Sequence, residues 1–433
     1  MKRSLGWTLA ALALASCGGA SPSAGTAQPD SGMVTAPLDG GTSDGATPDT
    51  GGVDGNAADG ASPKEAGPPA PDPCIEAGTC PPGTWVNVTP SNVDLTDPLD
   101  CSNYGTSSIQ VDPGAPSNLY AEYNCQGVWK SADYGMTWTG PINTGTGGAT
   151  VGDAAGGVVI APGPAGGPPV LYQSGIRGAG TGFWKSTDGG QSWTNYVIGP
   201  AGSRQDVYPP AVDPYDGTHL VMAGHEQDLL VESIDGGQTW TNVTLAAGMM
   251  ETGGTGAISF IDTGLSFSTR VTWLWMAQGS GGMYGTWRTS DGGMTWTQVD
   301  TNEHPHGAYQ IYQPDTSGVV YMAGIYSALG WGVLRSTDFG STWAHVGGTG
   351  SEGLVFGTPK NVYAMWGWPI GEGQVVAPSL ETAAQPGLGT WSMQTTPAGM
   401  SQGPGQVAVT SDGTHSIVLA ACFNAGMWRY VEP

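Results

Sequence analysis

Short apolar runs, each bounded by polar turn residues, recur along this chain from about residue 83 onward. One set ends in a bulky apolar residue followed by a base: GVWK to Lys130, GFWK to Lys185, GTWR to Arg288 and GVLR to Arg335. Each is followed at once by a segment of the form Ser/Thr-x-Asp-x-Gly-x-Ser/Thr-Trp, and a second apolar run starts at the Trp, as in WTNYV and WTNVT. Strand, tight Asp-Gly turn and strand predict a β-hairpin, because Gly accepts positive φ and Asp bonds back to its own backbone. Upstream of the hairpins lie further strand pairs with polar turns, such as VDPGAPSNLYAEY and VDPYDGTHLVMAG. Four strands per unit, repeated about every fifty residues, are the composition of a propeller blade.

The Trp that opens the outer strand counts the blades. It stands at Trp138, Trp193, Trp240, Trp296 and Trp343 behind an intact turn motif, and at Trp391 behind a decayed one. The seventh unit is divided between the two ends of the chain. GMWRY at Trp428 is a third strand with nothing after it, and GTWVNVTP at Trp85 matches the fourth strand that unit lacks. The expectation is an all-β, seven-bladed β-propeller of four-stranded antiparallel blades, closed by the N-terminal strand completing the last blade. Closure removes the unpaired edges an open array would expose.

The first 73 residues are different material. Met1–Ser16 has a basic start (Lys2, Arg3) and an apolar run from Leu5 to Ala15, too short for a permanent membrane helix and typical of an export signal. Leu14-Ala15-Ser16-Cys17 resembles the bacterial lipoprotein processing box, which implies acylation of Cys17; a secretory signal with an incidental cysteine is the alternative. Gly18 rather than Asp follows, which by the sorting pattern of enteric bacteria points to the outer membrane or cell surface. Residues 18–73 are Gly, Ala, Ser, Thr, Pro and Asp with little to bury, so a disordered tether is expected before a propeller spanning 74–433. Its Asp-Gly pairs lack the ligand rhythm of a calcium loop.

The net charge of −24, from 12 Lys plus Arg against 36 Asp plus Glu, excludes a basic nucleic-acid footprint and contact with anionic lipid beyond the lipid anchor. A monomer is expected. Of six cysteines, Cys74 and Cys80 are spaced to close a small loop. Cys101, Cys125 and Cys422 leave an odd count, and Cys101–Cys125 is the preferred pair.

The repeated turn resembles the Asp-box (BNR) repeat of sialidases, xyloglucan-cleaving glycoside hydrolases, sortilin-type receptors and photosystem assembly factors. In those folds the box lies in the turn between third and fourth strands, away from the usual site. The resemblance therefore implies structural roles for Asp133, Asp188, Asp235, Asp291 and Asp338. Function belongs to the opposite face, built from the turns between second and third strands and the crossings between blades. Those segments are polar. Blade 1 offers Glu122, Tyr123, Asn124 and Gln126, and blade 2 offers Arg177. The crossing into blade 3 carries Arg204, Asp206 and Tyr208, and that blade's own turn carries His225 and Glu226. Further round stand Glu251, His304, His306, Trp366 and Trp368.

Facing carboxylates with aromatic platforms are the requirement for glycoside cleavage. Asp206 and Glu251 are the candidate acid/base pair, with His225 and His306 in proton transfer or positioning. Arg177, Arg204, Tyr208 and Glu226 are candidate substrate contacts, and Trp366 and Trp368 candidate sugar platforms. A His beside Tyr and Arg fits instead the proton abstraction of a polysaccharide lyase. His304 and His306 alternate along an extended chain and so point apart, which argues against a shared metal; no metal or cofactor is expected. A sialidase assignment fails, since there is no Arg-Ile-Pro motif and Arg288, Arg335 and Arg429 belong to strands before boxes. The xyloglucanase repeats are closer in wording, but those enzymes divide their catalytic aspartates between two propellers and only one exists here. The reading is an exported, lipid-anchored propeller that binds and cleaves a polysaccharide; a non-enzymatic glycan-binding or scaffolding propeller is the alternative.

Overall fold

A computed structural model describes residues 69–96, 104–199, 203–225, 227, 229–245, 255–278, 285–301, 311–323, 332–347, 352–366, 380–384 and 389–433. Their strands form seven antiparallel sheets arranged as the ring of a β-propeller. Six sheets have four strands; blade 3, for example, comprises Ala211–Asp213, Asp216–Ala223, Leu230–Ser233 and Thr241–Asn242. Blade 1 has three strands (Thr106–Val111, Leu119–Tyr123, Gly127–Ser131), and its fourth place is reduced to a single bridge between Lys130 and Thr139. Pro141, lacking an N–H, follows two residues later and cannot extend that ladder.

The last blade is closed from the other end of the chain, as the Trp count predicts. Trp85–Asn87 pairs with Met427–Val431, setting Trp85 opposite Tyr430 and Asn87 opposite Trp428. The rings of Trp85 and Tyr430 lie 5.0 Å apart between centroids. Elsewhere the outer strands begin just after the box Trp, at Thr194, Thr241, Thr297 and Ala344.

The core lies between blades rather than in one centre. Leu119 and Ala121 face Leu419 of blade 7, whereas Tyr120 from the same strand packs with Leu171 of blade 2. Second strands are therefore covered on both faces, and all five residues of Leu119–Tyr123 are buried.

Each Asp box is a self-contained hydrogen-bond knot. In blade 3, Ser233 Oγ donates to Asp235 Oδ1 at 2.8 Å, and the Gly237 N–H donates back to Ser233 Oγ at 2.8 Å. Asp235 then accepts from the Gln238 and Thr239 amides at 2.9 Å each and from Thr239 Oγ1 at 2.6 Å. The residue after each box Asp is left-handed: Gly189, Gly236 and Gly292 at φ 71°, 71° and 69°, and Tyr134 and Phe339 at 57° and 58°. Trp193, Trp240, Trp138 and Trp343 each donate their indole N–H to the box Gly carbonyl, while Trp296 and Trp391 reach back to Thr244 and Val346 of the preceding blade. Burial works against ionising Asp235, but these donors outweigh it and hold its carboxyl down at about 2. Asp235→Ala is expected to cost about 1–2 kcal/mol, read as a lowered thermal midpoint at neutral pH. The loss should shrink as pH falls from the ordinary carboxylate range toward about 2, because the stabilisation exists only while the carboxylate is charged. An unchanged midpoint would mean that neighbouring boxes suffice.

The chain joins the ring on this same box face. Tyr134 of the first box donates its hydroxyl to the Ala70 carbonyl. Asp72, inside the stretch read as linker, is fully buried and paired with Arg429. Asp72 also caps the short helix Pro73–Glu76 by accepting the Cys74 N–H at 2.9 Å. Cys74 and Cys80 form a disulfide with Cα atoms 5.5 Å apart, and Cys422 is a free, buried thiol. Cys125 is also disulfide-bonded; Cys101 lies outside the described residues.

Candidate functional site

The face opposite the boxes is built by the turns between second and third strands and by the crossings between blades. Two such segments meet beside blade 3. The crossing from Thr194–Tyr196 to Ala211–Asp213 carries Arg204, Asp206 and Tyr208, and the turn after Asp216–Ala223 carries His225 and Gln227. Backbone pairing registers them: Val207 bridges Gly224, the His225 N–H donates to the Asp206 carbonyl at 3.0 Å, and the Tyr208 N–H to the Ala223 carbonyl at 3.1 Å.

This register brings the side chains together. His225 Nδ1 lies 3.1 Å from Asp206 Oδ2, and Arg204 Nε donates to Asp206 Oδ1 at 3.0 Å. A second guanidinium nitrogen pairs with Asp206 Oδ2 and also reaches the His225 carbonyl at 3.2 Å. Gln227 Nε2 donates to the Asp206 carbonyl at 2.7 Å. The Tyr208 ring meets the His225 imidazole edge-on at 5.4 Å and 76°. His225 is 4% exposed, whereas the Arg204 side chain is 53% exposed and gives the cluster its solvent-facing cation. Burial disfavours ionising Asp206, but the hydrogen bonds from Arg204 and His225 and the Arg204 charge more than offset it, holding the carboxyl below its usual range. Asp206 is thus an ionised partner of His225 and does not carry a proton to donate at neutral pH.

Other expected residues are placed differently. Glu122 and Tyr123, read as part of a polar turn, belong to the strand Leu119–Tyr123 and are buried, as is Asn124 just beyond it. Arg177 stands exposed at the end of Val170–Gly178, opposite Ala155, and makes no hydrogen bond or ion pair with the Asp206 cluster among the described residues. Trp366 ends the strand Asn361–Trp366, but its side chain lies outside the described residues. Glu226, Glu251, His304, His306, Trp368 and Cys17 also lie outside them. Sequence reading missed a second histidine cluster, at the box end of blade 3. His219, fully buried, has Nδ1 2.9 Å from Asp213 Oδ2 and Nε2 3.0 Å from Glu232 Oε1, and Thr269 of blade 4 donates to Asp213 at 2.9 Å. Burial opposes the imidazolium, yet the two carboxylates raise its pKa. The signal was the register, since Asp213 and Glu232 lie on the strands flanking His219.

A cavity of about 530 Å³ opens on the same face between blades 1 and 2, with Gln126, Asn143 and Asp153 in its wall. Among its described lining residues it holds one carboxylate and no acid/base pair. No group of three or more His, Cys, Asp or Glu side chains disposed to hold a metal occurs among the described residues.

No protein-family model matches the chain, and no curated protein matches it. Among solved structures it is similar to a GH74 xyloglucanase from Xanthomonas campestris, at 15% identity over 80% of this chain and 53% of that one, with a TM-score of 0.52. It is also similar to YCF48 from Cyanidioschyzon merolae, at 15% identity over 81% of this chain and 99% of that one, TM-score 0.49. An ancestral GH74 enzyme gives 19% identity over 65% of this chain and 36% of that one, TM-score 0.44. The chain spans 53% and 36% of the two GH74 proteins but 99% of YCF48. At these identities the likeness is one of fold.

Proposed function

We propose that this protein is an exported, lipid-anchored propeller that binds and cleaves a polysaccharide at the bacterial surface, using the face that carries Arg204, Asp206, Tyr208 and His225. The observation that carries the reading is the 3.1 Å contact between Asp206 and His225 with the Tyr208 ring against the imidazole. An ionised Asp206 carboxylate at Nδ1 orients the imidazole and fixes its tautomer, which assigns proton transfer to Nε2. His225 is then the proton-transfer residue and Asp206 its positioning partner. In hydrolysis His225 would take the proton of the attacking water, and Glu251 is the remaining candidate for protonating the leaving sugar.

One feature favours elimination as the second reading. Among the described residues, an imidazole and a guanidinium gather here around a single carboxylate with a phenol ring against the imidazole, rather than two carboxylates facing across a cleft. In that reaction His225 removes the proton beside a uronate carboxylate. The C4–O bond then breaks with formation of a ring double bond, and Tyr208 returns a proton to the departing oxygen.

Incubating the protein with a panel of neutral and uronate-containing polysaccharides separates these outcomes. New reducing ends without ultraviolet absorbance mean hydrolysis, and both together mean elimination. In either case His225→Ala should lower the rate by about 10²–10⁴-fold. Asp206→Asn should lower the rate and shift the pH profile, which a merely structural role would not do. Retention on glycan gels without turnover would leave a binding module, and neither turnover nor retention would sink the carbohydrate reading.

A further inference from the structure

Eight large apolar side chains stand exposed among the described residues, and six of them fall in neighbouring turns of blades 3 and 4 on the box face. These are Tyr215, Ile234, Leu265, Phe267, Val271 and Met294, between 40% and 74% exposed. The turns are stitched into one surface. Tyr215 donates its hydroxyl to Asp262, Arg270 pairs with Asp216, and the box amide of Gly292 donates to the Val271 carbonyl at 3.0 Å. Their elements are the first turns of both blades, the short helix Ser268–Val271 and the adjoining boxes.

Phe267 is the unusual member. Five described non-glycine residues have positive φ, and four of them are buried or half-buried, so that packing can hold them there. Phe267, at φ 60°, is 64% exposed. A left-handed aromatic residue with its ring largely in water accepts backbone strain without a buried ring to offset it, a pattern that marks functional positions.

The rim is acidic. Asp216, Asp235, Asp262 and Asp291 surround the apolar residues, Arg270 is engaged by Asp216, and Lys185 donates to the Gly236 carbonyl at 2.9 Å. Such a rim repels a second copy of the same face and an anionic lipid surface, and it complements lysine and arginine. We infer that the box face of blades 3 and 4 is a docking surface for a protein partner that presents an apolar ridge flanked by basic residues. This surface lies opposite the His225 cluster, so both can be occupied together.

The test uses the full chain and a synthetic amphipathic Leu/Lys helical peptide. A Leu/Glu peptide, polylysine and phosphatidylcholine vesicles serve as comparisons, with sedimentation of the protein alone. The expected result is saturable binding of the Leu/Lys peptide only, weakened at least about tenfold in Leu265→Ser/Phe267→Asn and weakened by salt. Asn tolerates the left-handed backbone, so the thermal midpoint of Phe267→Asn should hold or rise. Equal binding by wild type and double variant would overturn the proposal, as would a lowered midpoint in Phe267→Asn. So would variant-sensitive binding to vesicles, or a variant-sensitive dimer, since each assigns the patch to another occupant.

Discussion

Asp72→Ala is expected to lower stability by about 3–5 kcal/mol, the usual consequence of stranding one member of a buried ion pair. Asp72 is 0% and Arg429 1% exposed, and the guanidinium also donates through Nε to the Tyr134 carbonyl at 2.9 Å. Burial alone lowers the Arg429 pKa despite the Asp72 and Asp133 charges nearby, so this charge is held where water does not reach it. Its position makes the pair consequential. Arg429 lies in the strand Met427–Val431, opposite Val86 of the N-terminal strand, so the pair ties the N-terminal segment to the strand that the same segment pairs with. The measurement is the urea midpoint followed by tryptophan fluorescence. The double variant Asp72→Ala/Arg429→Met should recover much of the loss, because it removes the stranded charge and replaces it with an apolar side chain. A single variant as stable as wild type would mean that the arm peels away without strain on the ring.

The part of this architecture that was legible is local. The knot from Ser233 to Thr239 closes within seven residues, every bond joining groups two to four positions apart, so its spacing is visible in the chain. Ring closure was legible for a different reason: Trp85 and its following strand repeat the wording of the other outer strands although they stand at the opposite end of the chain. The Arg429–Asp72 pair had no such signature, since its partners are 357 residues apart and Asp72 lies before the repeats begin. The inserted helices Gly148–Gly152 and Ser268–Val271 were likewise unforeseen, being short departures from the blade template.

The candidate site divides along the same line. Arg204, Asp206, Tyr208 and His225 were legible as a group because the template assigns the crossing and the turn to one face, and the Val207–Gly224 bridge then sets them side by side. Their roles were not, because a carboxylate's role depends on what touches it. Asp206 stays ionised because Arg204 and His225 engage both its oxygens, and the residue type alone does not say so. Glu122 was misplaced because a polar residue near a strand end reads as turn. Blades covered on both sides can nevertheless hold a polar side chain in the gap between them.

Glu122 should for that reason make the ring lose stability as pH rises from about 4.5 to about 8. It is 1% exposed; Gln173 of blade 2 donates to its Oε1 at 3.3 Å, and Oε2 has no hydrogen-bond partner among the described residues. Burial raises its pKa to about 8, with the Gln173 bond only partly opposing the shift. The folded protein therefore keeps a proton that the unfolded chain releases near the ordinary 4.5, and binds more protons than the unfolded chain between those two values. Stability attributable to this group is complete below about 4.5, declines as pH rises, and reaches its lower plateau above about 8. Glu122→Gln keeps the shape and removes the titration. The stability of the variant relative to wild type should increase across that interval by on the order of 4 kcal/mol, read from urea midpoints at a series of pH values. Parallel profiles would show that the carboxyl is charged or solvated in the folded ring, and would remove Glu122 from any account of how blades 1 and 2 hold together.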